Sequence, residues 1–205
     1  MEPSVFAKGL LVGFSIAAPV GPIGVLCIRR TLAEGRVSGF VTGLGAATAD
    51  ALYGAVAGFG LTVISSFLLG QEQWLRLAGG VFLVWLGAKT FLAVPAAEAA
   101  QIKGATLAGA YASTVFLTLT NPTTILSFVA VFAGFGLSET ATNYATAAVF
   151  VLGVFLGSAL WWLILSGIVG AFRERFGPRQ MRWVNRISGA IIMAFGLLAL
   201  FGMKK

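Results

Sequence analysis

Hydrophobic positions follow one another almost without interruption along most of the chain. Six apolar runs stand out, at about 5–28, 38–64, 74–94, 105–133, 145–170 and 185–203. A helix that crosses a bilayer needs roughly 20 apolar residues, whereas the strands of a membrane barrel alternate apolar and polar positions. Because the runs are continuous, the pattern predicts an all-α membrane protein with six transmembrane helices and no separate soluble domain.

Composition agrees with this interpretation. The chain is 58% hydrophobic and 10% charged, whereas soluble domains carry about 25% charged residues. The predicted surroundings of the protein are therefore the lipid bilayer. The net charge of +7 does not indicate a nucleic-acid partner, because the basic residues are spread over the ends of the apolar runs instead of forming one patch.

The basic residues are divided unevenly between the two sides of the predicted bundle. Of the 14 lysines and arginines, ten fall in or beside loops 1, 3 and 5, and four fall on the opposite side. Lysine and arginine concentrate in cytoplasmic loops, so both termini are expected outside. The ten are Arg29, Arg30, Arg36, Lys89, Lys103, Arg173, Arg175, Arg179, Arg182 and Arg186.

Two halves of the chain resemble each other. The segment QWLRLAGGVFLVWLGAKTFL (73–92) is similar to RWVNRISGAIIMAFGLLALF (182–201), and LGAATADALY (44–53) is similar to LGVFLGSALW (152–161). The matched residues include Trp74 with Trp183, Gly80 with Gly189, Gly87 with Gly196, Gly45 with Gly153, and Asp50 with Ser158.

Each half would hold three helices, and three is an odd number, so the halves must insert in opposite directions. This predicts inverted repeats at about 5–94 and 105–203 within one transporter domain. Such repeats are typical of transporters, whose substrate sites lie near the midplane where discontinuous helices meet.

The first helix of each half is interrupted by proline. Pro19, Gly21 and Pro22 interrupt the first run, and Asn121 and Pro122 interrupt the fourth. Proline removes a helical hydrogen bond but is favoured at the first position of a helix. Each break therefore predicts a new helix start, whose exposed amides could bind an anion such as a carboxylate. After Pro22 the amides are those of Ile23 and Gly24. After Pro122 they are those of Thr123 and Thr124, with Asn121 as the cap. Simple kinks that only shape packing are the alternative.

Asp50 is the only aspartate, and it lies near the centre of the second run. A charged side chain at mid-membrane costs about 2.5–3.5 kcal/mol or more and usually marks an ion or substrate path. Small residues at helical spacing share its face, which predicts that Asp50 points into the bundle. It could pair with a substrate cation, or take and release a proton, or be a structural acid. Tyr53, three residues on, could hydrogen-bond it, whereas Arg29 and Arg30 lie too far along to neutralise it.

Other residues point to less chemistry. Cys27 is the only cysteine and histidine is absent, so Cys27 is expected in the core and no metal centre or redox pair is predicted. No phosphate loop for ATP is present, no cofactor is expected, and an intramembrane enzyme lacks a nucleophile–base pair. Trp161 and Trp162 could line a cavity, but packing is the simpler expectation.

These motifs together resemble the LysE family of amino-acid exporters, the lysine exporters and their threonine and homoserine efflux relatives. The stretch APVGPIGVLCIRRTLAEGRVSGFVTGLGAATADALYG carries the similarity, with Asn121-Pro122 in the fourth run. The resemblance implies an inner-membrane exporter that works without ATP, with an amino acid as substrate and a homodimer as assembly. Carried over by position, its functional residues are Pro19, Gly21, Pro22, Asp50, Asn121 and Pro122. Thr123 departs from the lysine that many members have there.

Three alternatives remain beside an amino-acid exporter that Asp50 could couple to protons. A cation or heavy-metal exporter of the same superfamily is the first, although soft metals favour cysteine or histidine clusters. A structural membrane protein is the second, and it leaves Asp50 and the paired breaks without a purpose. An intramembrane enzyme is the third.

Overall fold

The computed structural model describes residues 3–19, 21–59, 72–93, 106–121, 124, 128, 144–175 and 177–201. Within these residues the elements are helical and no strand occurs, which confirms the all-α prediction. The helices are α1 (Pro3–Ala17), α2 (Pro22–Glu34), α3 (Arg36–Gly58), α4 (Glu72–Phe91), α5 (Leu107–Leu119), α6 (Tyr144–Ala171) and α7 (Pro178–Phe201), with a short 3₁₀ turn at Arg173–Arg175 between the last two.

The first apolar run forms two helices instead of one. Val5–Ala17 and Pro22–Glu34 meet at an angle of 80°, so the predicted break is present. The second segment continues to Glu34, beyond the expected end at residue 28, and it places Arg29 and Arg30 inside a helix. The last helix begins at Pro178, before the expected start at 185. The parts of runs two, three and four near 60–64, 94 and 129–133 lie outside the described residues.

Two described helices are long and apolar enough to cross a membrane, spanning Tyr144–Arg175 and Arg179–Phe201. The bent pair of α1 and α2 is a third when it is counted as one span, and Leu77–Phe91 and Leu107–Leu119 are shorter apolar helices. Large apolar side chains are exposed along the outside of α6, including Leu152, Leu163 and Ile168. Because water would not favour such a surface, the protein is a multi-pass helical membrane protein.

Glycines allow the long helix α6 to contact α1 without intervening side chains. Gly9 and Gly13 of α1 face the backbone of α6 at Phe150 and Val154, and Gly153 and Gly157 of α6 face α1 in return. In lipid, close contact between helices depends on small residues and backbone packing. These glycine pairs, which have the close-packing spacing in the sequence, therefore act within the fold.

The remaining helices complete the core around α3. Helix α3 packs on α6, on α5 and on α2, while α4 packs mainly on α7. Cys27 is fully buried among the residues of α2, α3 and α6, and its thiol donates to the carbonyl of Gly39 at 3.4 Å. This confirms Cys27 as a core residue.

Gly157→Ala is expected to destabilise the protein, because the added methyl group would overlap the backbone carbonyl of Leu10. Overpacking of this kind costs about 1–3 kcal/mol. Gly167→Ala in the same helix is the matched control, since no atom lies within 4 Å of the new methyl group. Thermal unfolding of the purified protein in detergent should show a lower midpoint for Gly157→Ala alone. Equal midpoints for both variants would contradict the close contact of α1 and α6.

Candidate functional site

A cavity of about 500 Å³ lies where the break between α1 and α2 faces α3 and the end of α5. This volume is within the range of small-molecule sites. Five of the residues predicted from the sequence line it. They are Pro19, Gly21, Pro22, Asp50 and Asn121. The structure therefore brings residues from both proline-containing segments and the intramembrane acid to one place.

The first break produces a helix start at the cavity. The amide of Gly21 donates to the carbonyl of Pro19 at 3.0 Å, and that of Val25 donates to the carbonyl of Gly21 at 3.1 Å. Pro22 is therefore the first helical residue, as predicted. The next two residues, Ile23 and Gly24, line the cavity, and the first amides of a helix have no acceptor within it. This end of α2 directs partial positive charge toward the cavity.

The second break differs from its prediction in one respect. Helix α5 ends at Leu119, and the amide of Asn121 donates to the carbonyl of Thr118 at 3.3 Å. Thr124 lines the cavity, but its amide donates to the carbonyl of Asn121 at 3.1 Å. The expectation that the Thr124 amide is exposed is therefore wrong, because the tight turn itself supplies its acceptor. Pro122 and Thr123 lie outside the described residues.

Asp50 is held inside the bundle by a chain of two hydrogen bonds. It is 3% exposed, so it faces the interior as predicted. The hydroxyl of Ser158 donates to its Oδ2 at 2.7 Å, and the indole N–H of Trp162 donates to Ser158 Oγ at 3.1 Å. Because the indole can only donate, Ser158 must direct its own proton to the carboxylate.

In the described part of the chain, no arginine forms an ion pair with Asp50. Arg29 instead pairs with Glu34, at a nitrogen–oxygen distance of 3.6 Å. This agrees with the expectation that Arg29 and Arg30 lie too far along the bundle. The carboxyl group therefore borders the cavity with neutral hydrogen-bond partners, and a cation or a proton can balance its charge.

Tyr53 does not act as the sequence suggested. Its hydroxyl donates to the carbonyl of Leu119 at 2.6 Å, and its ring packs on Phe128. The suggested hydrogen bond to Asp50 is therefore wrong, because the hydroxyl instead reaches the carbonyl of Leu119 at the end of α5. Tyr53 joins α3 to the second break, and it is not among the described residues that line the cavity.

The two neighbouring tryptophans have different surroundings. Trp162 lines the cavity and is 3% exposed. Trp161 is absent from the described lining, and its ring meets that of Phe14 edge-on at 5.4 Å. The expectation of packing is therefore confirmed for both tryptophans, and Trp162 also lines the cavity, as the sequence analysis left open.

A buried arginine is the feature that the sequence analysis missed. Arg30 is 5% exposed, and its guanidinium donates to neutral acceptors on α3 and α5. Nη1 contacts Thr42 Oγ1 at 3.1 Å, the carbonyl of Ala110 at 3.0 Å and Thr114 Oγ1 at 3.2 Å, while Nη2 contacts Ser113 Oγ at 3.0 Å. Its position beside loop 1 gave a topology signal only. Its side-chain partners lie in SGFVTGL (38–44) and YASTVFLTLT (111–120), and folding brings these two segments together around it.

Helices α4 and α7 also contribute to the cavity, through Gly79, Gly80 and Leu83 on one and Phe195, Leu198 and Ala199 on the other. These residues are small or apolar and carry no chemical signature in the sequence. They add apolar surface to the cavity, so a ligand would meet both polar and apolar groups.

The fold and the cavity define a multi-pass helical membrane protein with an internal polar site. A model of the LysE type translocator family matches residues 14–202. The chain therefore belongs to this family of membrane transporters, which confirms the resemblance seen in its motifs. No solved structure is significantly similar to the chain.

Relatives match the chain over most of its length. An uncharacterized membrane protein, YahN of Escherichia coli (strain K12), is 29% identical over 98% of this chain and 92% of its own. A homoserine/homoserine lactone efflux protein of Salmonella typhi is 26% identical over 81% of this chain and 78% of its own. A threonine efflux protein of Escherichia coli (strain K12) is 20% identical over 86% of this chain and 88% of its own.

Arg30→Lys is expected to lower the free energy of unfolding by about 1.5–3 kcal/mol, the contribution of hydrogen bonds to a charged group. Lysine keeps the buried charge but lacks the planar fork that reaches α3 and α5 together. Arg186→Lys, on the exposed side of α7, is the control and should remain near the wild-type value. Unfolding in mixed detergent micelles, followed by tryptophan fluorescence, measures both. Identical curves would show that the guanidinium contacts contribute nothing.

Proposed function

We propose that this protein is a secondary transporter that exports amino acids or related small metabolites across the inner membrane. The observation that carries the proposal is the buried carboxyl of Asp50 at a cavity lined by residues of both proline-containing segments. Membership in the LysE type translocator family and relatives named for homoserine and threonine efflux support it. Transport needs no cofactor in this proposal.

The cavity offers complementary groups for the two charges of an amino acid. Asp50 would receive the substrate ammonium, and the amides of Ile23 and Gly24 at the start of α2 would receive the carboxylate. Backbone amides at a helix start favour anions because they lack acceptors and carry the positive end of the helix dipole. At the second break, we assign the matching role to the amide that follows Pro122, that of Thr123, which lies outside the described residues.

Coupling to protons follows from the same carboxyl group. A charged group within a membrane costs about 2.5–3.5 kcal/mol or more unless a partner balances it. Ser158 supplies a hydrogen bond but no charge. In the proposed cycle, Asp50 therefore holds either the substrate cation or a proton, and exchange of the two links export to the proton gradient.

Contacts between α4 and α7 support two inverted repeats, at about 5–94 and 105–203. A methyl group placed on Gly80 would lie 3.1 Å from the carbonyl oxygen of Gly196, and one placed on Gly87 would lie 2.8 Å from that of Gly189. The sequence pairs Gly80 with Gly189 and Gly87 with Gly196. Each glycine therefore touches the counterpart of the other, which is the reciprocal pattern of a twofold contact.

The contacts of the second helix in each repeat have the same reciprocity. A methyl group on Gly45 would lie 2.5 Å from the carbonyl oxygen of Tyr111 in α5, and one on its counterpart Gly153 would lie 2.6 Å from that of Phe6 in α1. Each glycine thus packs on the first helix of the other repeat. Asp50 meets its own counterpart, Ser158, as expected for positions on a twofold axis. We propose six spans in this arrangement, with the two repeats rocking about the cavity.

Asp50→Asn should lower the efflux of labelled threonine from loaded proteoliposomes at least tenfold. This is about the effect expected when one charge pair between the protein and its substrate is lost. The carboxamide can still accept the hydrogen bond from Ser158, but it carries no charge and cannot exchange a proton. Any residual efflux should no longer respond to an imposed pH gradient. Glu34→Gln is the control, because Glu34 pairs with Arg29 away from the described lining.

The same assay distinguishes the alternatives. Unchanged efflux and unchanged pH response in Asp50→Asn would remove Asp50 from the mechanism. Wild-type protein that moves rubidium or cadmium ions but no amino acid would favour the cation or heavy-metal exporter instead.

The proposed orientation places loops 1, 3 and 5 in the cytoplasm and both termini outside. It predicts opposite accessibility for Tyr144 and Glu174, which are exposed and lie near the two ends of the span Tyr144–Arg175. In a Cys27→Ser background, Tyr144→Cys should react with a membrane-impermeant maleimide in intact spheroplasts. Glu174→Cys should react only after permeabilisation. The reverse labelling pattern would invert the assigned topology.

A further inference from the structure

We infer that Trp162 sets the upper size limit of the substrate side chain; this rests on the proposed amino-acid export. Among the described residues that line the cavity, Trp162 is the one tryptophan. It is joined to Asp50 through Ser158, and it packs with Ala17, Ile23 and Ala46, which also line the cavity. The indole therefore lies between the proposed ammonium site and the proposed carboxylate site.

The position of the indole matters because of the shape of an amino acid. The ammonium, the carboxylate and the side chain all leave the same carbon atom. When Asp50 and the amides of α2 hold the first two groups, that carbon is confined between them. A bulky side chain then meets the wall that joins the two anchors, and Trp162 is the largest residue in that wall.

The wall is rigid on the side away from the cavity. Gly43 of α3 lies directly against the base of the Trp162 side chain, so closely that a methyl group there would overlap its Cβ and Cγ atoms. The hydrogen bond from the indole N–H to Ser158 fixes the ring orientation. Because the ring has no room to move into α3, a larger substrate cannot push it aside, and the cavity keeps its size.

Trp162→Ala should widen the range of substrates. In a small apolar pocket, one methylene group changes discrimination by about 10–200-fold. The ratio of phenylalanine to threonine efflux from proteoliposomes should therefore rise at least about tenfold over wild type. Trp162→Leu, which keeps apolar bulk in the core, should raise the ratio less. It also provides a test should the alanine variant fail to fold, as judged by size-exclusion chromatography.

Trp161→Ala is the matched control, because Trp161 is the preceding residue of α6 and packs on Phe14. It should leave the ratio at the wild-type value. An unchanged ratio in both Trp162 variants, with threonine efflux retained, would overturn the role of Trp162 but not the proposed export function. An equal rise in Trp161→Ala would overturn it too, since the effect would then be general loosening of the bundle. Wild-type protein that moves neither amino acid above protein-free liposomes would overturn the proposed function, and this inference with it.

Discussion

The hydrogen bond between Ser158 and Asp50 is the contact on which the organisation of this protein depends. It joins α3 to α6 in the interior, with an oxygen–oxygen distance of 2.7 Å, and it holds a carboxyl group at the edge of a cavity. A buried acid without such a donor would be costly in a bilayer. One hydroxyl is nevertheless insufficient to balance a full charge, so the group remains ready for a cation or a proton. The contact thus joins two helices and, in the proposed cycle, leaves the carboxyl group to be balanced by the substrate cation or a proton.

Close backbone packing makes this arrangement possible. In a bilayer, helices gain little from the hydrophobic effect between themselves, and they associate through small residues and interhelical hydrogen bonds. Glycines bring α6 onto α1 and α4 onto α7, while Arg30 joins α2 to α3 and α5 by hydrogen bonds to neutral acceptors. The cavity among these helices is lined in part by the residues of the helix break, such as Gly21 and Pro22. Backbone amides freed at a helix break can then serve a ligand instead of remaining unpaired in lipid.

The sequence predicted much of this because bilayer physics limits the choices. Continuous apolar runs allow few structures besides helices, proline fixes helix starts such as Pro22, and a lone acid such as Asp50 must face inward. Three-dimensional contacts were harder to predict. The hydroxyl of Tyr53 donates to the carbonyl of Leu119 instead of Asp50, and the sequence does not show which carbonyl lies within its reach. The burial of Arg30 depends on Thr42 and Thr114, which come from distant segments. Cavity-lining residues without charge, such as Gly79 and Leu198, carry no signal at all.

The proposed repeats also explain why the counterpart of Asp50 in the second repeat is not an acid. Positions on a twofold axis meet their own counterparts, so an aspartate in both repeats would place two carboxylates in direct contact. At about 4 Å, two like charges repel by about 4 kcal/mol in a medium of effective dielectric constant 20. Serine at position 158 replaces that repulsion with a hydrogen-bond donor. The same replacement makes the two halves chemically unequal, so a substrate has one orientation in which its ammonium meets a carboxylate. In the proposed arrangement, the difference between Asp50 and its counterpart Ser158 gives the cavity one preferred orientation for its substrate.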